Sequence, residues 1–438
     1  MKTLYPFQTI GVDFLASRQK ALLADEQGLG KTVQAILAAK QLKARKILIV
    51  CPAVVKYVWH REITEWTGEK DIQVVEGMFA RVKDSAVTII NYDLLASPVV
   101  YEQIISRLYS LGIFDEAHYL KGRDTKRTKA VLLRGGVASR CLYKWFMTGT
   151  PVLNRPVELY PLLKACAPEI LGEYSSFNSF AHRYCGAYFD GYDLNVRGHS
   201  NVDELNEKLT RSGFMLRRLK SEVLHELPEK QYQIIPLSKE GIGNKKIFRF
   251  IKSDARKQTP ASIDGGDLAT ERRELAMAKR RYVCDHVRSL LESERKVVVF
   301  AYHRDLLEQL RLDFESYNPG LIYGGVTAKE REKVIQDFRT NPECRVFLGQ
   351  ITAAGVGITL VESRIAVFAE ISWVPGEIFQ AVDRIHRIGQ KEKVLIQFMV
   401  WENTLEEFML RSVIDKKHVV EAIVEQKDEE QASKILFT

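Results

Sequence analysis

The stretch ADEQGLGKT, residues 24–32, sets Gly28 and Gly30 just before Lys31 and Thr32. Glycines there let backbone N–H groups approach phosphate oxygens closely. A lysine supplies a point charge for the β- and γ-phosphates, and the neighbouring hydroxyl can ligate Mg2+. The apolar ALLA before the stretch and the helical pattern KTVQAILAAKQL (31–42) place these groups at a helix N-terminus, where the helix dipole favours anions. The strict G-x-x-x-x-G-K-[ST] spacing is not met, because Asp25 stands where the first glycine belongs. On this stretch alone, a glycine-rich turn ending in a lysine is the plainer alternative.

DEAH, residues 115–118, follows an apolar strand-like run about 85 residues beyond Lys31, a separation suited to a carboxylate site on a neighbouring strand. Asp115 at the strand's end can hold Mg2+, and Glu116 can orient and deprotonate an attacking water. Alone, such a tetrapeptide reads as a solvated helix start. In register with Lys31 and Thr32 it points to phosphoryl transfer.

A third cluster lies far downstream in QAVDRIHRIGQ, residues 380–390. The spacing of Arg384 and Arg387 predicts two guanidinium groups on one face of a short helix, and Ile385 and Ile388 predict that this helix is partly packed down. Two permanently charged forks need solvent or an anion. An arginine delivered from a second body to a transferring phosphoryl group is worth ~10³ to 10⁵ in rate, so the expected anion is ATP, reached across a cleft. The plainer alternative is a solvated helix face.

The elements that must position these residues repeat one grammar twice. KILIVCP (46–52), VTIINYD (87–93) and LGIFDEAH (111–118) alternate with helical stretches, which predicts a parallel sheet covered by helices. The pattern returns in KVVVFAY (296–302), CRVFLGQ (344–350), IAVFAEI (365–371) and VLIQFMV (394–400). The expected organisation is a first lobe at 1–152, a helical insertion and hinge at 153–230, a second helical insertion at 231–285, a second lobe at 286–401 and a C-terminal helix at 402–438. ARKQTPASIDGGDLAT (255–270) reads as a mobile loop. NTLEEFMLRSVIDKKHVVEAIV (403–424) reads as one amphipathic helix, with Leu405, Phe408, Met409, Val413 and Val420 apolar, bracing the lobes.

Composition narrows the class. A chain of 438 residues that is 46% hydrophobic is globular and long enough for two or three domains. A formal net charge of +8 favours a polyanionic partner without excluding a basic metabolic enzyme. The six cysteines, Cys51, Cys141, Cys166, Cys185, Cys284 and Cys344, form no short C-x-x-C pair and read as reduced core residues in a cytoplasmic compartment. No uncharged apolar run reaches the ~18 residues that a membrane span needs.

Seven ordered motifs carry a resemblance across essentially the whole chain: LYPFQTIGVDFL (4–15), DEQGLGKT (25–32), ILIVCPAVVKYVWHREITEW (47–66), DEAHYLKG (115–122), FMTGTPVLN (146–154), GQITAAGVGITL (349–360) and QAVDRIHRIGQ. Together they resemble helicase superfamily two. DEQGLGKT, LRRLKSEVLHELPEK (216–230) and HRIGQ are similar in wording to the Swi/Snf-type double-stranded DNA translocases, and FAEISWVPG (368–376) resembles the annealing-helicase branch. The resemblance implies an α/β fold of two RecA-like parallel-sheet lobes with helical insertions and an ATP cleft between them. It implies that Gln8 contacts adenine and that Gly28, Gly30, Lys31 and Thr32 hold phosphates and Mg2+. By the same resemblance Asp115 ligates Mg2+, Glu116 is the base, and Gly357, Arg384 and Arg387 complete the site. Pro52, Lys56, Thr148, Gly149, Thr150, Thr352 and Trp373 fall in segments that touch or abut DNA in that family. Contacts to double-stranded DNA there follow the phosphate backbone, so sequence preference should be slight. Trp373 as ordinary core, Pro52 as a strand terminator and His303 as a structural residue are the plainer readings.

The family's usual Trp-Asn-Pro is Trp373-Val374-Pro375 here, and Gly112 interrupts the strand before Asp115. No zinc finger, histone-tail reader or nuclease segment fits in the remaining residues. The expectation is therefore a bare DNA-stimulated ATPase motor from a bacterium or virus, working in the cytoplasm. The alternatives are a strand-separating helicase built on the same motor and an inert DNA-binding scaffold.

Overall fold

The β-branched runs become parallel strands whose side chains are buried on both faces, as a sheet covered by helices requires. A computed structural model of the chain describes residues 3–149, 155–237, 265–354, 358–402, 404–411 and 413. The described residues form two units, and the chain passes from one to the other between His225 and Glu226.

The first unit contains β1 (Lys20–Leu23), β2 (Ile47–Cys51), β3 (Ile72–Val74), β4 (Val87–Asn91), β5 (Tyr109–Asp115) and β6 (Cys141–Met147). The segment after them holds helices at Tyr160–Cys166, Phe177–Tyr184 and Val202–Arg211 and an antiparallel hairpin of β7 (Tyr188–Phe189) and β8 (Leu194–Asn195). It then returns a strand, β9 (Met215–Leu216), to the edge of the main sheet. The order is β3-β4-β2-β5-β6-β1-β9, and every pairing is parallel. Parallel order brings the C-terminal ends of β1 and β5 to the same edge, where loops collect in open α/β sheets. Three helices, α1 (Pro6–Ala16), α2 (Lys31–Gln41) and α3 (Lys56–Thr67), frame that edge.

The second unit is a six-stranded parallel sheet of β10 (Lys230–Leu237), β11 (Val297–Ala301), β12 (Gly320–Ile322), β13 (Val346–Gln350), β14 (Ile365–Phe368) and β15 (Val394–Trp401), in the order β10-β15-β14-β11-β13-β12. β10 corrects the expectation of a helical insertion from residue 231. KQYQIIPL alternates half-buried and exposed positions, and its Pro236 lacks a ladder donor, so local pattern argued against a strand. As the sheet's edge strand it tolerates both features. A helix at Gly265–Ser293 follows, so the loop expected at 255–270 is helical from Gly265, and its earlier part lies outside the described residues. Leu405, Met409 and Val413 are buried in this unit's core, and the rest of the expected C-terminal helix lies outside the described residues. All six cysteines are buried and unbridged. Among the described residues, no helix is long and apolar enough to cross a membrane.

Candidate active site

At the end of β1 the chain turns through Gly28 and Gly30, with φ values of 87° and 75°, into α2. Gly30 is fixed twice over. Its left-handed backbone disfavours a side chain, and a Cβ there would come 2.5 Å from Gln8 Nε2. Lys31 Nζ donates to the Asp25 carbonyl at 2.7 Å and to the Glu26 carbonyl at 3.3 Å. Burial lowers its pKa against the opposing pull of Glu116, Asp25 and Asp115. The lysine and both DEAH carboxylates therefore share one electrostatic site. Thr32 follows in the first turn of α2.

Asp115 ends β5, and Trp59 on α3 donates to its Oδ2 at 2.8 Å. The Glu116 amide donates to Asp115 Oδ1 at 2.9 Å, and the Tyr92 hydroxyl donates to the Asp115 carbonyl at 2.8 Å. Burial, followed by the Glu116 charge, raises the Asp115 carboxyl to about 6, while the Trp59 indole pulls it down. Such a carboxylate gains from a cation. A single buried carboxylate at a strand's end fits Mg2+, which typically takes one or two carboxylates and completes its shell with phosphate and water.

Glu116 has φ 49° and ψ 53°, a left-handed conformation that costs a non-glycine residue about 1–3 kcal/mol and is concentrated at functional positions. His118 Nδ1 lies 3.2 Å from Glu116 Oε2 and 3.1 Å from Thr148 Oγ1. Thr148 extends β6, and its amide donates to the Leu23 carbonyl at the end of β1. Gly149 lies against the glycine loop, where a Cβ would come 2.2 Å from Gln27 Cγ and 3.2 Å from Lys31 Nζ.

Gln8 caps α1 by accepting from the Tyr5 amide, and its Nε2 donates to the Leu29 carbonyl. Both ends of its carboxamide thus hold α1 against the loop. Lys56 is buried, with Nζ donating to the Val75 carbonyl at 2.9 Å. Pro52 is buried where β2 ends, Thr352 is exposed on a short helix, and Trp373 packs edge-on against Phe408. Thr150 and Gly357 lie outside the described residues.

The second unit corrects the helix-face reading of the two arginines. The helix Pro375–Val382 ends before Arg384, and the chain continues in turns. The cause is a contact distant in sequence: the Arg384 carbonyl accepts from the Leu360 amide at 2.8 Å, so it does not carry the helix onward. Arg384 Nε donates to the Gln380 carbonyl, and Arg387 Nη1 donates to the Ile358 carbonyl. Gln390 is buried and donates to the Val361 and Ser363 carbonyls, while His386 Nε2 donates to the Pro228 carbonyl. Much of HRIGQ therefore fastens the turn that carries Arg387.

Sequence reasoning missed Trp59, Tyr92, Arg217 and Arg218. Arg217 Nη1 donates to the carbonyls of Ala24 and Gly149, and Arg218 grips Asp25 with two nitrogens. The adjacent arginines in LRRLK were the available signal.

The SNF2-related domain model matches residues 7–288, and the helicase conserved C-terminal domain model matches residues 278–389. The chain is 33% identical over 428 residues to the SWI/SNF-related matrix-associated actin-dependent regulator of chromatin subfamily A-like protein 1 of Xenopus tropicalis, covering 95% of this chain and 44% of that one. It is 34% identical over 427 residues to the human DNA annealing helicase and endonuclease ZRANB3, covering 93% of this chain and 39% of the relative. The chain thus spans less than half the length of these relatives. The structure described as the Sulfolobus solfataricus SWI2/SNF2 ATPase core in complex with dsDNA aligns with 100% of this chain and 97% of its own, at 21% identity and a TM-score of 0.47. With its glycine loop, DEAH carboxylates and HRIGQ turn in the family's order, the chain belongs to the SNF2-related family of helicase-type ATPases.

Proposed function

We propose that the protein is an ATP-dependent double-stranded DNA translocase that hydrolyses ATP to move along duplex DNA and remodel protein–DNA or branched DNA structures. One observation carries the reading: strand register sets Leu23, which leads into the glycine loop and Lys31, and Asp115, which precedes Glu116, opposite the same residue, Met147, at one sheet edge. Lys31 binds the β- and γ-phosphates and exchanges the Asp25 and Glu26 carbonyls for them. Glu116 orients the attacking water and takes its proton on a carboxylate oxygen. Gln8 borders the adenine. Gly357, Arg384 and Arg387 serve the same nucleotide, and the arginines stabilise charge that develops on the transferring phosphoryl group. Asp115 and Thr32 would hold Mg2+, which when bound neutralises charge on the phosphate oxygens.

The names of the relatives, which include a DNA annealing helicase, support DNA as the partner. The net charge of +8 is in keeping with a phosphate-backbone ligand. Lys56, buried with its ammonium on the Val75 carbonyl, and Gly149, which lies against Gln27 and Lys31, are the members of the DNA set that also support the fold. Thr352 is exposed and stays a candidate for the DNA set, with Thr148, Thr150, Pro52 and Trp373 in the neighbouring segments.

The test is displacement of a third strand from the major groove of a random-sequence duplex. ATP-dependent displacement that leaves a simple forked duplex unseparated supports translocation. Fork unwinding without triplex displacement replaces the proposal with a strand-separating helicase. Hydrolysis should rise with duplex DNA and fall steeply with salt.

A further inference from the structure

We infer that Arg218 is a positioning residue that couples the phosphate loop to the segment by which the chain leaves the first unit, linking nucleotide turnover to movement. The inference rests on the translocase reading and names the part that transmits the stroke.

Asp25, the residue in place of the loop's first glycine, is fully buried. Its Oδ1 accepts from Arg218 Nε at 2.9 Å, and its Oδ2 accepts from Arg218 Nη2 and from Gln34 Nε2. Arg218 Nη2 also reaches Gln34 Oε1 at 2.9 Å on α2, and Nη1 donates to the Phe7 carbonyl on α1. One guanidinium thereby touches the loop, the helix that follows it and the helix bearing Gln8. The planar fork of arginine suits this set of partners, and a lysine could not reproduce it. Gly11 on α1 leaves the room: a Cβ there would come 1.7 Å from Gln34 Oε1 and 2.8 Å from Arg218 Nη2.

The backbone follows the same path. Past β9, the Glu26 amide donates to the Arg218 carbonyl at 3.0 Å, and the Lys220 amide donates to Glu26 Oε2 at 2.7 Å. Arg217 joins the Ala24 carbonyl to that of Gly149. Six residues beyond Lys220 the second unit begins at Glu226. The two carbonyls that hold the Lys31 ammonium belong to Asp25 and Glu26, the residues whose side chains hold this exit segment. When Lys31 changes partners, the residues that move are those tied to the exit segment. A buried charge pair transmits such a shift because breaking it costs more than moving with it.

The test compares wild-type with Arg218→Gln, Asp25→Asn, the double variant and Arg218→Lys. It measures duplex-stimulated hydrolysis and triplex displaced per ATP hydrolysed. Expected is hydrolysis at a reduced rate with a displacement ratio lowered at least about tenfold in Arg218→Gln and in Asp25→Asn, no further loss in the double, and partial recovery in Arg218→Lys. A merely structural role would lower both activities in proportion and leave the ratio at the wild-type value, which would overturn the inference. Should Arg218→Gln fail to fold, Gly11→Ala crowds the clamp with its charges intact and is read by the same ratio. A wild-type protein that hydrolyses ATP on duplex DNA without displacing the third strand overturns the translocase reading and this inference with it. Normal wild-type displacement with unchanged variant ratios overturns this inference alone.

Discussion

Gly30→Ala tests the loop's geometry because its cost has two separable parts. At φ 75° an alanine pays about 1–2 kcal/mol of left-handed strain. Its Cβ also falls 2.5 Å from Gln8 Nε2, a contact that closes only if the carboxamide moves. Moving it sacrifices the bonds to the Leu29 carbonyl and from the Tyr5 amide, each worth about 0.5–1.5 kcal/mol net. Local opening of α1 and the loop should therefore become easier by roughly 2–5 kcal/mol, unless the first unit unfolds outright. Native-state hydrogen exchange reads this: at about 1.4 kcal/mol per factor of ten, the Tyr5 amide should exchange roughly 30- to 4,000-fold faster. The decisive control is the Gln8→Ala background, in which the steric part is gone and only the backbone strain remains. There Gly30→Ala should cost at least about 1 kcal/mol less than in wild-type. Equal costs in the two backgrounds would refute the clash, and unchanged exchange in Gly30→Ala would refute both parts.

Lys31→Ala should abolish ATP turnover with duplex affinity largely retained, checked by ATPase assay and DNA titration; joint loss would contradict separate nucleotide and DNA sites. Glu116→Gln should keep nucleotide binding and lose hydrolysis by orders of magnitude, read by nucleotide titration beside single-turnover kinetics. Arg387→Ala should lower the maximal duplex-stimulated rate with little change in nucleotide affinity, and an unchanged maximal rate would give it a structural role, such as its bond to the Ile358 carbonyl. Trp59→Phe removes the hydrogen bond that holds the Asp115 carboxyl down against burial, so the carboxyl rises further above about 6. Because the ionised form is the working one, activity should be lost at higher pH as the solution is acidified. A pH–rate profile whose acid limb does not move would show that Asp115 does not set it.

Local sequence determined the pieces. β2, β4, β5, β11 and β15 were legible because runs of β-branched residues bounded by turns need no distant partner to be recognised. Gly28, Gly30, Lys31 and Thr32 were legible as a cluster because the glycine loop is contiguous, and Asp115 with Glu116 because both stand at one strand's end. Arg384 and Arg387 were legible as a pair and misread as a helix face, since the Leu360 amide that ends the helix lies 24 residues away in sequence. β9 and β10 escaped because a strand of two residues and an edge strand containing proline carry little periodic signal. Tertiary structure alone gave Asp25 its partner, 193 positions away, and Asp115 its indole donor, 56 positions away. Side-chain spacing reports only neighbours within a turn or a pleat. A buried carboxylate is satisfied by whatever the closed sheet brings beside it, and the order of the strands settles that.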